Sequence, residues 1–149
     1  MDWIRQSGSR QQLGPGIECL ISPDGSTLAV LQMRMADEIE MRFDLVLMDP
    51  ASGAITNIVQ ENAEVEGFMF AADTNRLLYT TQAADGVSED YPFALLSFER
   101  GGEPQLLCTS RTERIAASPV PNQLYFMYML TTGQETKMLR PITYVWNIA

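Results

Sequence analysis

Short apolar runs separated by compact polar turns recur along the whole chain. In the first third they are Glu18–Ser22, Thr27–Met33, Arg42–Met48 and Ala54–Gln60. The runs are rich in Leu, Val, Ile, Phe and Met, the side chains that pack well on a pleated surface. The turns between them, Pro23-Asp24-Gly25 and Pro50-Ala51-Ser52-Gly53, carry the chemistry of chain reversal. Proline presets φ, Asp and Ser accept hydrogen bonds from nearby amides, and glycine takes φ > 0. The pattern therefore predicts four short strands, here called A to D, with Gly25 in the left-handed region. No long stretch has the periodicity of a helix.

The same pattern then repeats. Cys19–Val30 matches Phe68–Tyr79 at an offset of 49 residues, and Ile115–Phe126 follows 47 residues later. The second half of the unit, Leu45–Ile55, matches Ala94–Pro104, again at 49. Tyr144-Val145-Trp146-Asn147-Ile148-Ala149 opens that half a third time, without a D strand after it. The units run approximately over 17–62, 66–110 and 114–149. Residues 1–13 remain as an outer piece that reads as a strand, a Ser-Gly turn and a second strand.

Four antiparallel strands in a repeat of about 45 residues are what a β-propeller blade requires. Ser22-Pro23-Asp24-Gly25-Ser26-Thr27-Leu28-Ala29, followed by Leu45-Val46-Leu47-Met48-Asp49, resembles the WD-like repeats of TolB-type propellers. The second unit keeps Asp73 without the Ser-Pro before it, and the third keeps Ser118-Pro119 with Val120 in place of the Asp. The resemblance implies an all-β chain forming a partial β-propeller of about three four-stranded blades. A β-sandwich is the alternative that a series of short strands also allows.

Three blades are fewer than the roughly four to eight of a closed ring. Two chains closing one ring, docking onto other subunits, and a segment of a longer protein are the three ways to cover the open faces. The expected open edge is strand C of the third unit, so Tyr144, Val145 and Trp146 are candidate interface residues. Trp3 and Ile4 of the outer piece are their expected partners, from the same chain or a second copy.

The two ends of the strands differ. The A–B and C–D turns are tight, whereas the B–C and D–A connections are long, and long loops are where recognition usually sits. Those loops carry Asp37, Glu38, Glu40, Glu64, Glu66, Asp85, Glu89 and Asp90, which makes this end an acidic face. With 10 basic and 19 acidic side chains the net charge is −9. Nucleic acid is therefore not an expected partner, and a basic protein surface is.

The absence of histidine among the 149 residues excludes Ser-His-Asp and Cys-His catalysis and His-ligated metals. Cys19 and Cys108 form no CxxC motif and read as small core residues. Asp85–Asp90 does not have EF-hand spacing, and the glutamate pairs read as surface charge. No catalytic, cofactor or metal site is expected, and no cofactor. The expected function is a non-catalytic, propeller-type protein-binding scaffold or subunit of a larger assembly. The alternatives are a ligand-binding (for example carbohydrate-binding) propeller closed by homo-oligomerisation, or a regulatory propeller segment of a larger hydrolase. No apolar run is long enough to span a bilayer and no leader is apparent, so the expected location is cytoplasmic, or periplasmic for a segment of a longer protein.

Overall fold

The computed structural model describes residues 2–4, 10–12, 16–35, 40–62, 65–71, 75–83, 93–110, 115–117, 123–130 and 140–147. All regular structure there is antiparallel strand. A short hairpin comes first, β1 (Asp2–Ile4) with β2 (Arg10–Gln12). The first four-stranded sheet follows: β3 (Gly16–Ile21), β4 (Leu28–Met35), β5 (Met41–Met48) and β6 (Ile55–Gln60), in sequential order. The second repeats it with β7 (Val65–Phe70), β8 (Leu77–Gln82), β9 (Phe93–Phe98) and β10 (Gln105–Ser110). A third sheet has three strands, β11 (Ile115–Ala117), β12 (Gln123–Leu130) and β13 (Arg140–Asn147), and no D strand among the described residues. Two four-stranded antiparallel sheets of this kind are consistent with propeller-like blades.

The repeat extends to the irregularities. In strand A an extra residue interrupts the ladder at Ile17 in the first sheet and at Glu66 in the second. Strand D is interrupted in both sheets too, but not alike: at Thr56 and Val59 in the first and at Leu107 in the second. A bulge bends its strand and increases local twist, so the equivalent bulges in strand A bend the two sheets alike along that strand. The A–B hairpins also close alike, by Ser22 N–H to Thr27 O at 2.8 Å and Ala71 N–H to Arg76 O at 2.9 Å.

Successive residues of a strand face opposite sides of the sheet. Ala29, Leu45, Leu47 and Val59 of the first sheet pack with Phe68, Phe70, Leu77, Tyr79 and Phe98 of the second. Small and aliphatic side chains on one side thus receive the aromatic rings of the other. Burying each large side chain contributes roughly 1.5–3 kcal/mol. The opposite face of the second sheet, Met69, Ala71, Leu78 and Leu95, packs with Leu107, Cys108 and Ile115, the last on β11. Leu20 touches both clusters. On the far face of the first sheet Leu28, Val30, Val46 and Met48 are buried as well, with Cys19 against them. Both faces of β4 and β8 are therefore core, which is why their sequences read as continuous apolar runs. The two cysteines, expected in the core, are half-buried at its margin.

Gly25 has φ +73°, as its turn demands, and a Cβ built there meets nothing within 4 Å. The cost of a side chain is therefore backbone strain alone. Gly25→Val is expected to destabilise the protein by about 1 kcal/mol or more, read as a lower Tm. An unchanged Tm would mean that the turn relaxes freely.

Candidate functional site

Two groupings of polar and exposed apolar side chains stand out, one at each end of the strands. The first is at the tight-turn end, where the two four-stranded sheets meet. The Asp24 carboxylate accepts two hydrogen bonds on each oxygen. Oδ1 takes Ser22 Oγ at 2.7 Å and the Ser26 amide at 2.9 Å. Oδ2 takes Ser26 Oγ at 2.9 Å and Asn75 Nδ2 at 2.7 Å. Ser22, itself buried, accepts the Thr27 amide at 3.0 Å. Asn75 belongs to the next repeat, at the position that Ser26 holds in the first. One carboxylate thus closes its own turn and ties the neighbouring sheet to it. These donors, the Ser22 hydroxyl foremost, hold the Asp24 carboxyl far below the usual carboxylate range.

Beside this joint lies an open cleft of about 350 Å³ lined by Asn75, Arg76, Glu99 and Arg100. Arg76 Nη2 lies 2.9 Å from Glu99 Oε1 across the start of the β8–β9 hairpin. Asp49 accepts the Ala51 amide at 2.6 Å in its own turn, and that bond is the largest influence lowering its pKa. The Arg100 charge, from the equivalent turn of the second sheet, adds to the effect.

The second grouping is at the long-loop end. β4 and β5 continue past the core as a hairpin arm, with Met33 opposite Phe43, Arg34 opposite Arg42 and Met35 opposite Met41. By the two-residue alternation Met33, Met35, Met41 and Phe43 prolong the face that begins with Ala29, Leu31, Leu45 and Leu47, the face packed on the second sheet. Met35 and Met41 are 56% and 58% exposed. The opposite face is charged. Arg34 Nε lies 2.7 Å from Asp44 Oδ2, and Asp44 Oδ1 accepts the Asn62 amide at 3.0 Å. Asn62 is held at φ +50°, so the turn after β6 is fastened to the base of the arm. Partial burial pushes the Asp44 carboxyl up, but the bonds from Arg34 and Asn62 outweigh it and leave the pKa lowered.

Of the acidic loop face, Glu40 is exposed at the root of β5 and pairs with Arg42 at 3.1 Å. Glu66 is the bulged residue of β7. Asp37, Glu38, Glu64, Asp85, Glu89 and Asp90 lie outside the described residues. Trp3 and Ile4 fall on β1, paired with Gln11 and Arg10. Tyr144, Val145 and Trp146 fall on β13, opposite Phe126, Tyr125 and Leu124, and the strand partner of β13 is β12. β1–β2 and β11–β13 are separate sheets.

The sequence pattern ends strand B at about Met33 and begins strand C at about Arg42, which assigns Met35 to the B–C loop; Glu40, assigned to the same loop, lies outside both strands. The correction is that the ladder runs on to the Met35–Met41 pair. The alternation Met33-Arg34-Met35 and Met41-Arg42-Phe43 is the signal that carries it. Asn75 had no signal of its own, because its partner lies 51 residues away.

Burial raises the pKa of Tyr79 to about 12 and that of the Cys108 thiol to about 11. The Tyr79 hydroxyl has no hydrogen-bond partner among the described residues. Among the same residues no three or more Cys, Asp or Glu side chains are arranged to hold a metal ion. No protein-family model matches the chain, and no curated protein sequence does.

The joint makes a pH-dependent prediction. A carboxyl whose folded pKa is lowered contributes stability above its unfolded value, near 4, and loses it as pH falls toward the folded value. Asp24→Asn, which removes one acceptor oxygen, is expected to lower the Tm at neutral pH. The gap to the wild type should narrow progressively below about pH 4. In a double-mutant cycle, Asn75→Ala should cost less in the Asp24→Asn background than in the wild type. Strict additivity would show that the 2.7 Å bond couples nothing.

Proposed function

We propose that this chain is a non-catalytic, propeller-type protein-binding scaffold whose four-stranded sheets are blades and whose recognition surface is at the long-loop end. The observation that carries the reading is the arm. A hairpin that leaves the core with Met35 and Met41 more than half exposed presents apolar surface to solvent beside a fastened, charged base. Methionine is flexible and polarisable, which suits an adaptable contact.

The state of the other side chains supports the same reading. Asp24, Asp44 and Asp49 each serve a turn or an ion pair and titrate below the ordinary carboxylate range. A general acid or base works best with a pKa near the operating pH. Cys108 is shifted the wrong way for a nucleophile, since the thiolate is the reactive form. The outer edge of β13, which has no further strand beside it among the described residues, offers a second place for a partner, as the separate β1–β2 hairpin does.

The test is co-purification of a tagged chain from its native source, with stoichiometry measured by sedimentation. A stable complex with another protein is expected, and Met35→Ser with Met41→Ser should reduce its recovery at least tenfold without moving the Tm. Robust turnover of an ester, peptide or glycoside by the isolated chain would overturn the reading.

A further inference from the structure

The tight-turn end of the second sheet offers more hydrogen-bond donors than acceptors. Its open cleft of about 350 Å³ is lined by Asn75, Arg76, Glu99 and Arg100, two cations to one anion. Three of these side chains are already engaged. Asn75 Nδ2 donates to Asp24 at 2.7 Å. Arg76 brings both Nε, at 3.1 Å, and Nη2, at 2.9 Å, to the single oxygen Oε1 of Glu99. Arg100 differs. Arg34, Arg42 and Arg76 each lie within 3.1 Å of a carboxylate oxygen, whereas the exposed Arg100 has no ion-pair partner among the described residues. Asp49 feels its charge, but that carboxylate is taken by the Ala51 and Ser52 amides. With 19 acidic side chains to 10 basic ones, a cation left without an acid is the exception in this chain.

The turn that carries Arg100 has a fixed shape. Gly102 N–H donates to Glu99 O at 2.9 Å, and Gly101 has φ +82°. A Cβ at Gly102 would lie 3.3 Å from that same oxygen. Side chains are therefore strained at Gly101 and crowded at Gly102, and Arg100 takes the corner beside the engaged walls of the cleft.

A guanidinium has five N–H donors in a planar fork and accepts nothing. Whatever lies against Arg100 in the cleft must therefore accept. A carboxylate or phosphate group matches the fork with two parallel bonds and the opposite charge. A cation would meet two arginines, and an apolar group would take water from the donors without replacing its hydrogen bonds. Nucleic acid presents phosphates as a polyanion, which a chain of net charge −9 repels. We infer that the cleft between the A–B and C–D turns of the second sheet binds a small oxyanion, a carboxylate or a phosphate, through Arg100 with Arg76 and Asn75 as its wall.

The test is NMR of the full chain isotopically labelled at arginine nitrogen. The Nε–H resonances are followed while sodium phosphate or sodium acetate replaces sodium chloride at constant ionic strength. The Arg100 resonance should shift and saturate with phosphate, with acetate or with both, and whichever saturates names the oxyanion. The Arg76 resonance should shift in step, while Arg34 and Arg42, at the other end of the strands, stay in place. Read through Arg76, Arg100→Gln should abolish binding. Arg100→Lys, which keeps the charge without the fork, should weaken it at least tenfold. Neither variant should move the Tm, because Arg100 is exposed and holds no acid. No saturable shift with either salt, equal shifts of Arg34 and Arg42, or an Arg76 response that Arg100→Gln leaves unchanged would each overturn the inference.

Discussion

The contact between the first and second sheets is the interaction on which the rest of the described structure depends. It places Phe68, Phe70, Tyr79 and Phe98 against Ala29, Leu45 and Leu47. Ala29 makes room for rings that a larger residue would displace, and close-packed interiors tolerate little change of volume. Once these faces meet, the turn carrying Asp24 and the turn carrying Asn75 come within hydrogen-bonding distance. The apolar stripe of β4 and β5 then has a direction in which to leave the core. Both candidate groupings, at opposite ends of the strands, are consequences of this one packing.

Much of the fold was legible because it rests on local chemistry. Pro23-Asp24-Gly25 announces its hairpin, and Gly25 has the positive φ expected of it. The alternation of strands and turns carries the order of both four-stranded sheets and of the three described strands of the third. The bulges were not legible, because an extra residue such as Val59 or Leu107 changes no residue type. The outward run of the Met35–Met41 pair was hidden for a different reason. Methionine and arginine are indifferent strand formers, so propensity ends the strands early where pairing continues them. The Asp24–Asn75 bond joins separate repeats and has no local signature.

The two ends of the sheets divide the work between them. At the tight-turn end polar side chains face each other and are held: Asp24 by four donors, Glu99 by Arg76, and Asp49 by its own turn. At the other end the Arg34–Asp44–Asn62 contacts hold the root of the arm and an exposed Arg42–Glu40 pair flanks Met41, while one face of the tip is left apolar. Rigidity behind an exposed contact lowers the conformational entropy lost when a partner binds. On the proposed protein-binding reading, the Arg34–Asp44–Asn62 bracket would serve recognition although it touches only the chain itself.

Burial on both sides of the second sheet has a consequence for how the chain unfolds. A sheet with a polar face can survive when its neighbour detaches, since water takes the neighbour's place at little cost. β8 has no such face: Leu77 and Tyr79 point one way and Leu78 the other, all fully buried. Loss of either adjoining sheet would wet a surface with almost nothing to offer water, so partial opening costs nearly as much as complete unfolding. Leu20, shared between the clusters on both sides, adds to this linkage. The cooperative unit is accordingly larger than the repeat that the sequence displays, and a single repeat cut from the chain would lack the neighbours that make it stable.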